Sequence, residues 1–161
     1  MLGFFKKKKD NEHVLGAPAK GKAVPMKAVN DPTFNSGILG EGVAVIPSEG
    51  KIYAPEDGTV GMLFETLHAV SLTTEYGAEI LIHVGIDTVD MNGDGFELFV
   101  KEGDRVKTGD PLISFTPEKI KAAGHPMTTA FLITDNGSAS DVRFISNQDA
   151  KAGQTVIAEY A

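Results

Sequence analysis

From Val14 onward, short apolar runs alternate with Gly, Pro and Asp punctuation about every 8–12 residues. That rhythm limits what the chain can become. Runs this short can cover one face of a strand but cannot build the helices of a bundle. The expectation is an all-β protein, an antiparallel sandwich or barrel with at most short helical turns. One such turn is predicted over Thr116–Gly124, with Thr116 as N-cap, Pro117 in the first helical position and Gly124 as the stop. The 161 residues suffice for one domain with a sizeable core, taken as residues 14–161 behind a flexible basic tail over residues 1–13.

The chain also repeats its turns. Ala17-Pro18-Ala19-Lys20-Gly21 is echoed by Ala54-Pro55-Glu56-Asp57-Gly58, and Glu102–Ile113 is echoed by Asp149–Ile157. Each motif occurs twice, which suggests two similar β units folded into one sandwich rather than a solenoid. The second motif resembles the turns of biotinyl and lipoyl carrier domains. Such carriers need a modifiable lysine in a Met-Lys-Met or Asp-Lys-Ala context, and neither occurs here. The likeness is therefore one of architecture, a duplicated hybrid motif.

A net charge of −7 and a pI near 5.0 argue against a nucleic-acid binder and suit a protein that meets basic partners. With no cysteine, disulfides and thiolate metal sites are excluded, in keeping with a reducing cytoplasm. No apolar run reaches membrane-spanning length. The leader Met1-Leu2-Gly3-Phe4-Phe5, followed by four lysines, is not a signal peptide, because its charges follow the apolar residues. Residues 1–9 could instead make a weak contact with an anionic membrane surface. A solvated tail accounts for them equally well. Cytoplasmic location, at most peripheral to the membrane, and a monomeric state are the expectations.

Chemistry concentrates in two neighbouring strands, His68–Thr73 and Ala78–Asp87, the latter bending at Gly85. A four-residue loop, Thr74–Gly77, would pair Thr73 with Ala78 and therefore His68 with His83. Opposed side chains lie roughly 4.5–5.5 Å apart at Cβ, so the imidazoles could share one small group. A three-residue loop would place them on opposite faces. Facing neutral imidazoles can bind a metal, form an acid/base pair, or pair a nucleophile with a hydrogen-bond donor. Any arbitrary pair of histidines would instead be read as one packed and one exposed. His13 and His125 sit in no motif.

The surrounding text moves the reading further. Phe64-Glu65-Thr66-Leu67-His68 and Ile82-His83-Val84-Gly85-Ile86-Asp87-Thr88-Val89 resemble the active-site segments of the glucose-type enzyme IIA of the bacterial phosphoenolpyruvate:sugar phosphotransferase system. The likeness extends over nearly the whole chain. It implies a duplicated β fold and a phosphocarrier that takes phosphate from phospho-HPr and passes it to the IIB domain of a sugar permease. It implies His83 as the phosphorylated nucleophile, His68 as the stabiliser of the phosphoryl group and Thr66 as the hydroxyl that orients His68. Phe34, Ile38, Leu39, Phe64 and Val89 match the apolar docking surface, and Asp87 could receive an arginine of a partner. Asp87 reads equally well as a turn residue. For Phe34 and Phe64, simple core packing is an equal expectation.

Two other readings compete. Paired histidines are part of a zinc hydrolase site, but the HxH motif of zinc endopeptidases with related β architecture is missing. No cofactor is required, although zinc could sit adventitiously between His68 and His83, completed by a carboxylate from another protein. The second competitor is a binding module in which phosphorylation only switches partners.

Overall fold

The structure is a computed structural model that describes residues 13–160. The expected tail thus lies outside the described residues except for His13. That residue belongs to the domain: it opens the first strand and pairs with Tyr160.

Fourteen strands form among the described residues. In chain order they are β1 (His13–Gly16), β2 (Gly21–Pro25), β3 (Glu41–Pro47), β4 (Lys51–Tyr53) and β5 (Gly58–Leu63). Next come β6 (Ala69–Thr74), β7 (Glu79–His83), β8 (Phe96–Leu98), β9 (Arg105–Val106) and β10 (Pro111–Phe115). The last four are β11 (Thr129–Asp135), β12 (Arg143–Phe144), β13 (Gln148–Ala150) and β14 (Val156–Tyr160). An eight-stranded antiparallel sheet runs β13-β2-β3-β11-β7-β6-β5-β9, joined by the three-stranded sheets β1-β14-β12 and β4-β10-β8. Two short α-helices accompany them, α1 (Pro32–Asn35) and α2 (Pro117–Ala122). The second starts after Thr116 and stops at Gly124, whose φ of 83° ends it. All-β architecture with only short helical turns is what the punctuation predicted.

The repeats of the sequence become a near-twofold arrangement of backbone. Ala17 donates to Thr155 O at 2.8 Å and accepts from Gly153 N at 2.9 Å. Ala54 does the same with Asp110 O and Gly109 N, both at 2.8 Å. The two Ala-Pro segments also bond across the axis: Gly16 N donates to Pro55 O at 2.8 Å and Tyr53 N to Pro18 O at 2.7 Å. Glycine is needed where the halves meet, because a Cβ on Gly153 would lie 3.3 Å from Gly109 Cα, and both residues hold positive φ. The duplicated turns are thus mutual partners, which explains why the sequence keeps two copies of each.

The large core lies on one face of the main sheet. Val43, Val45, Ile80, Ile82, Phe131 and Ile133 point into it from the three central strands. Each fully buried aliphatic side chain contributes about 1.5–3 kcal/mol, so the frame around β7 is held firmly. The opposite face of the same strands carries a smaller cluster, in which Ala44, Ala130 and Leu132 pack with Met26, Val29, Phe34 and Ile86. The crossover from β2 to β3, which contains α1, supplies Met26, Val29 and Phe34 to that cluster. His83 ends β7 with the parity of Leu81, so it opens on this second face.

Candidate active site

The register differs from the one expected. Pairing runs Ala69 with His83, Val70 with Ile82 and Thr73 with Glu79, one residue away from the predicted alignment. The reason lies in the loop. Gly77, at φ 87°, serves as the left-handed residue closing a three-residue loop Glu75-Tyr76-Gly77, with Gly77 N donating to Thr74 O and Thr74 N to Ala78 O. Thr74 Oγ1 captures Ala78 N at 3.1 Å and stabilises the tighter turn.

On a regular strand this register would separate the two histidines. It does not, because β6 begins only at Ala69. Leu67 adopts φ 61°, a left-handed conformation that costs an ordinary residue about 1–2 kcal/mol, and it turns the chain just before His68. His68 thereby escapes the alternation, while its carbonyl still accepts from Val84 N at 2.8 Å. The two rings meet at 4.6 Å between centroids, nearly perpendicular at 82°. The predicted contact exists, reached by a route that the sequence reading excluded.

Small residues make room for it. On either side of His83 the register places Ala69 and Ala130, both buried. Two phenylalanines bracket the pair, the Phe34 ring 4.8 Å from His83 and the Phe64 ring 5.6 Å from His68. Phe34 is 4% exposed, so it forms a wall of the site rather than open docking surface. Phe64 is half-buried. Ile38 (80% exposed), Leu39 and Val89 are exposed, as is Asp87, which sits at φ 61° in the turn after Gly85. They flank the site along the chain, after α1 and after the Gly85 turn.

Each imidazole has one nitrogen engaged. His83 Nδ1 donates to the carbonyl oxygen of Gly85 at 2.9 Å. Gly85 must be glycine: at φ 75° its missing Cβ would stand 2.5 Å from Thr88 Cγ2. His68 Nδ1 shares a hydrogen bond with the hydroxyl of Thr66 at 2.7 Å. Burial drives the pKa of His83 down to about 4, assisted by repulsion from His68 and opposed by the Gly85 bond and the charge of Asp31. Burial also lowers the pKa of His68. Both rings are therefore neutral near pH 7, and the free nitrogen of His83 is Nε2, with its lone pair available.

Asp31 escaped the sequence reading. It caps α1, accepting from Thr33 N at 2.9 Å, and its field reaches His83. The Asn-Asp-Pro run before a helical turn signalled the cap but not the neighbour. No group of three or more His, Asp or Glu able to hold a metal occurs among the described residues, so a metal on the histidine pair would need a ligand from another molecule.

The profile of the family described as phosphoenolpyruvate-dependent sugar phosphotransferase system, EIIA 1, matches residues 13–139. The glucose-specific EIIA component of Oceanobacillus iheyensis is 39% identical over 153 residues, which cover 95% of this chain and 93% of that protein. The glucose-specific EIIA component of Bacillus anthracis is 40% identical over 149 residues, covering 92% and 90%. The β-glucoside-specific EIIBCA component of Bacillus subtilis is 41% identical over 143 residues, covering 88% of this chain but 24% of the larger relative. Among solved structures, glucose permease IIA from Mycoplasma capricolum superposes with a TM-score of 0.84 at 31% identity over 99% of both chains.

The chain belongs to the EIIA type 1 family of the phosphoenolpyruvate-dependent sugar phosphotransferase system. It is a phosphotransferase component, a phosphocarrier of glucose-type EIIA character, and neither the zinc hydrolase nor the bare binding module is favoured. Membership implies phosphotransfer with HPr and EIIB domains. No helix among the described residues is long and apolar enough to cross a membrane.

Proposed function

We propose that His83 Nε2 attacks the phosphorus of a phosphohistidine on HPr. A new N–P bond forms as the donor's N–P bond breaks, and the bonding pair returns to the donor imidazole. In the reverse sense the phosphoryl group then leaves for the IIB domain of a sugar permease. The observation that carries this reading is the ring pair: His83, half-buried and tied through Nδ1 to Gly85, lies 4.6 Å between ring centroids from a second neutral imidazole. With the Thr66 hydroxyl donating to Nδ1, His68 keeps its proton on Nε2 and donates it to a phosphoryl oxygen. Transfer of this kind passes through a loose transition state, so position and charge complementarity are what the protein supplies.

Docking falls to Ile38, Leu39 and Val89, with part of Phe64, and Asp87 offers its carboxylate to an arginine of either partner. The same histidine pair would supply two nitrogens to zinc when a partner carboxylate completes the set. The protein would act in the cytoplasm, at the inner face of the membrane where the permease lies. The test is incubation with phosphoenolpyruvate, enzyme I and HPr, followed by intact-mass measurement and site mapping. One phosphoryl group on His83, lost in His83→Ala, is expected; phosphate on any other residue overturns the assignment.

A further inference from the structure

Thr88 is a fully buried polar side chain that the transfer scheme above does not use. Its two branches do different things. The hydroxyl donates to the carbonyl oxygen of Val84. The methyl fills the space beneath Gly85, where it would meet a Cβ at 2.5 Å. From the other side, Pro126 O accepts from Ile86 N at 3.1 Å and stands 3.0 Å from the same missing Cβ. The Gly85 peptide is thus gripped between Thr88 and Pro126. Val84 is held at both of its ends, by the carbonyl of His68 on its N–H and by Thr88 on its C=O.

What hangs from this clamp is the tautomer of the nucleophile. Gly85 O takes the Nδ1 proton of His83, which is the condition for a bare lone pair on Nε2. If the Gly85 carbonyl rotates away, the proton is free to sit on either nitrogen, and a ring protonated on Nε2 cannot attack. The bond from Val84 N to the His68 carbonyl adds a second consequence, because it ties together the backbones that carry the two rings.

Resting on the phosphocarrier reading, we infer that Thr88 is a positioning residue for phosphoryl transfer, its hydroxyl clamping the Val84–Gly85 turn so that His83 keeps its proton on Nδ1. A hydroxyl with no access to solvent, at a position that an isosteric valine would also fill, thereby acts on a proton held five residues upstream.

The experiment compares Thr88→Val with the parent chain by two-bond proton–nitrogen correlation spectra of the histidine rings and by the rate of phosphate uptake from phospho-HPr. Thr88→Val should fold, show His83 as a mixture of tautomers, and lose rate in proportion to the competent fraction, about tenfold if one ring in ten remains correct, with KM for the donor unchanged. A folded variant with an unaltered His83 tautomer and a rate within about twofold of the parent would overturn the inference. Should Thr88→Val not fold, Thr88→Ser and Thr88→Ala isolate the hydroxyl, since both lack the methyl. The tautomer retained in Ser and lost in Ala supports the clamp, and identical spectra in the two refute it. Phosphate mapped to a residue other than His83 would sink the assignment of His83 as the nucleophile while leaving the ring spectra readable.

Discussion

Two groups of this chain, half-buried His83 and buried Glu56, titrate in opposite senses over one pH interval. His83 is held down at about 4 from an ordinary 6.5, first by burial and then by His68. Because its folded value lies below its unfolded value, the unfolded chain takes up the proton first. Stability tied to neutral His83 is complete above pH 6.5 and drains away as the pH falls toward 4. Glu56 behaves conversely. Burial raises it from 4.5 to about 7, and its carboxyl accepts from the Tyr160 hydroxyl at 2.5 and 2.7 Å. The folded chain takes up that proton first, so its contribution is complete below pH 4.5 and is lost as the pH rises through 7.

At about 1.4 kcal/mol for each pH unit, the interval from 6.5 to 4 makes the His83 contribution about 3 kcal/mol. The interval from 4.5 to 7 makes that of Glu56 about 3 kcal/mol as well. The two oppose each other, so the parent chain should stay flatter in mild acid than Glu56→Gln does. Glu56→Gln, which still accepts from Tyr160, should lose about 3 kcal/mol between about pH 7 and about pH 4.5, with buried His68 pulling in the same direction. His83→Gln should instead gain about 3 kcal/mol over that interval. Urea unfolding of the three proteins at both pH values measures the differences directly. If Glu56→Gln is as flat as the parent, or if both variants move the same way, the opposition of the two groups is wrong.

The remaining predictions concern the site itself. Gly85→Ala forces a left-handed alanine and a Cβ within 2.5 Å of Thr88 Cγ2, at a cost of about 2–4 kcal/mol that thermal unfolding will register as a lowered midpoint. His68→Ala should leave His83 able to accept phosphate but slow its delivery to IIB, because what is lost is stabilisation and not the nucleophile; undiminished delivery would refute that role. Ile38→Glu, at a position 80% exposed, should leave stability within about 0.5 kcal/mol of the parent and raise KM for phospho-HPr, a split that steady-state kinetics beside a melt can read.

Legibility in the sequence followed the range of the interactions involved. Turn punctuation is local, so the strands, the helix over Pro117–Ala122 and the paired Ala-Pro segments could all be anticipated. The hairpin register was misread because Thr74 can cap Ala78 N through its side chain, which lets Gly77 close a three-residue loop. The histidines met nonetheless because Leu67 bends against its ordinary preference, and no propensity announces a left-handed leucine. For Phe34 the sequence left docking surface and core packing equally open, and the crossover decides for packing by folding its ring onto His83. The bond from Tyr160 to Glu56 joins residues 104 apart in sequence, and the repeated turn that contains Glu56 says nothing of that partner.

The site also explains how a carrier can give its cargo away. Its two strands, Ala69–Thr74 and Glu79–His83, carry no Lys or Arg, and the wall over His83 is Phe34. A phosphoryl group brings about −1.5 to −2 of charge into this apolar setting. The chain itself offers neutral N–H and O–H donors there, with Asp31 close enough to act on His83 and of the wrong sign for an incoming anion. A docking protein that brings its own cation to the site would take it away again on leaving, and the strands that remain would not hold the phosphorylated ring by charge. Asp31→Asn, which can still accept from Thr33 N but removes the charge acting on His83, should make uptake more favourable and onward transfer slower; single-turnover transfer to IIB measures the second, and acceleration of that step would contradict this account of reversibility.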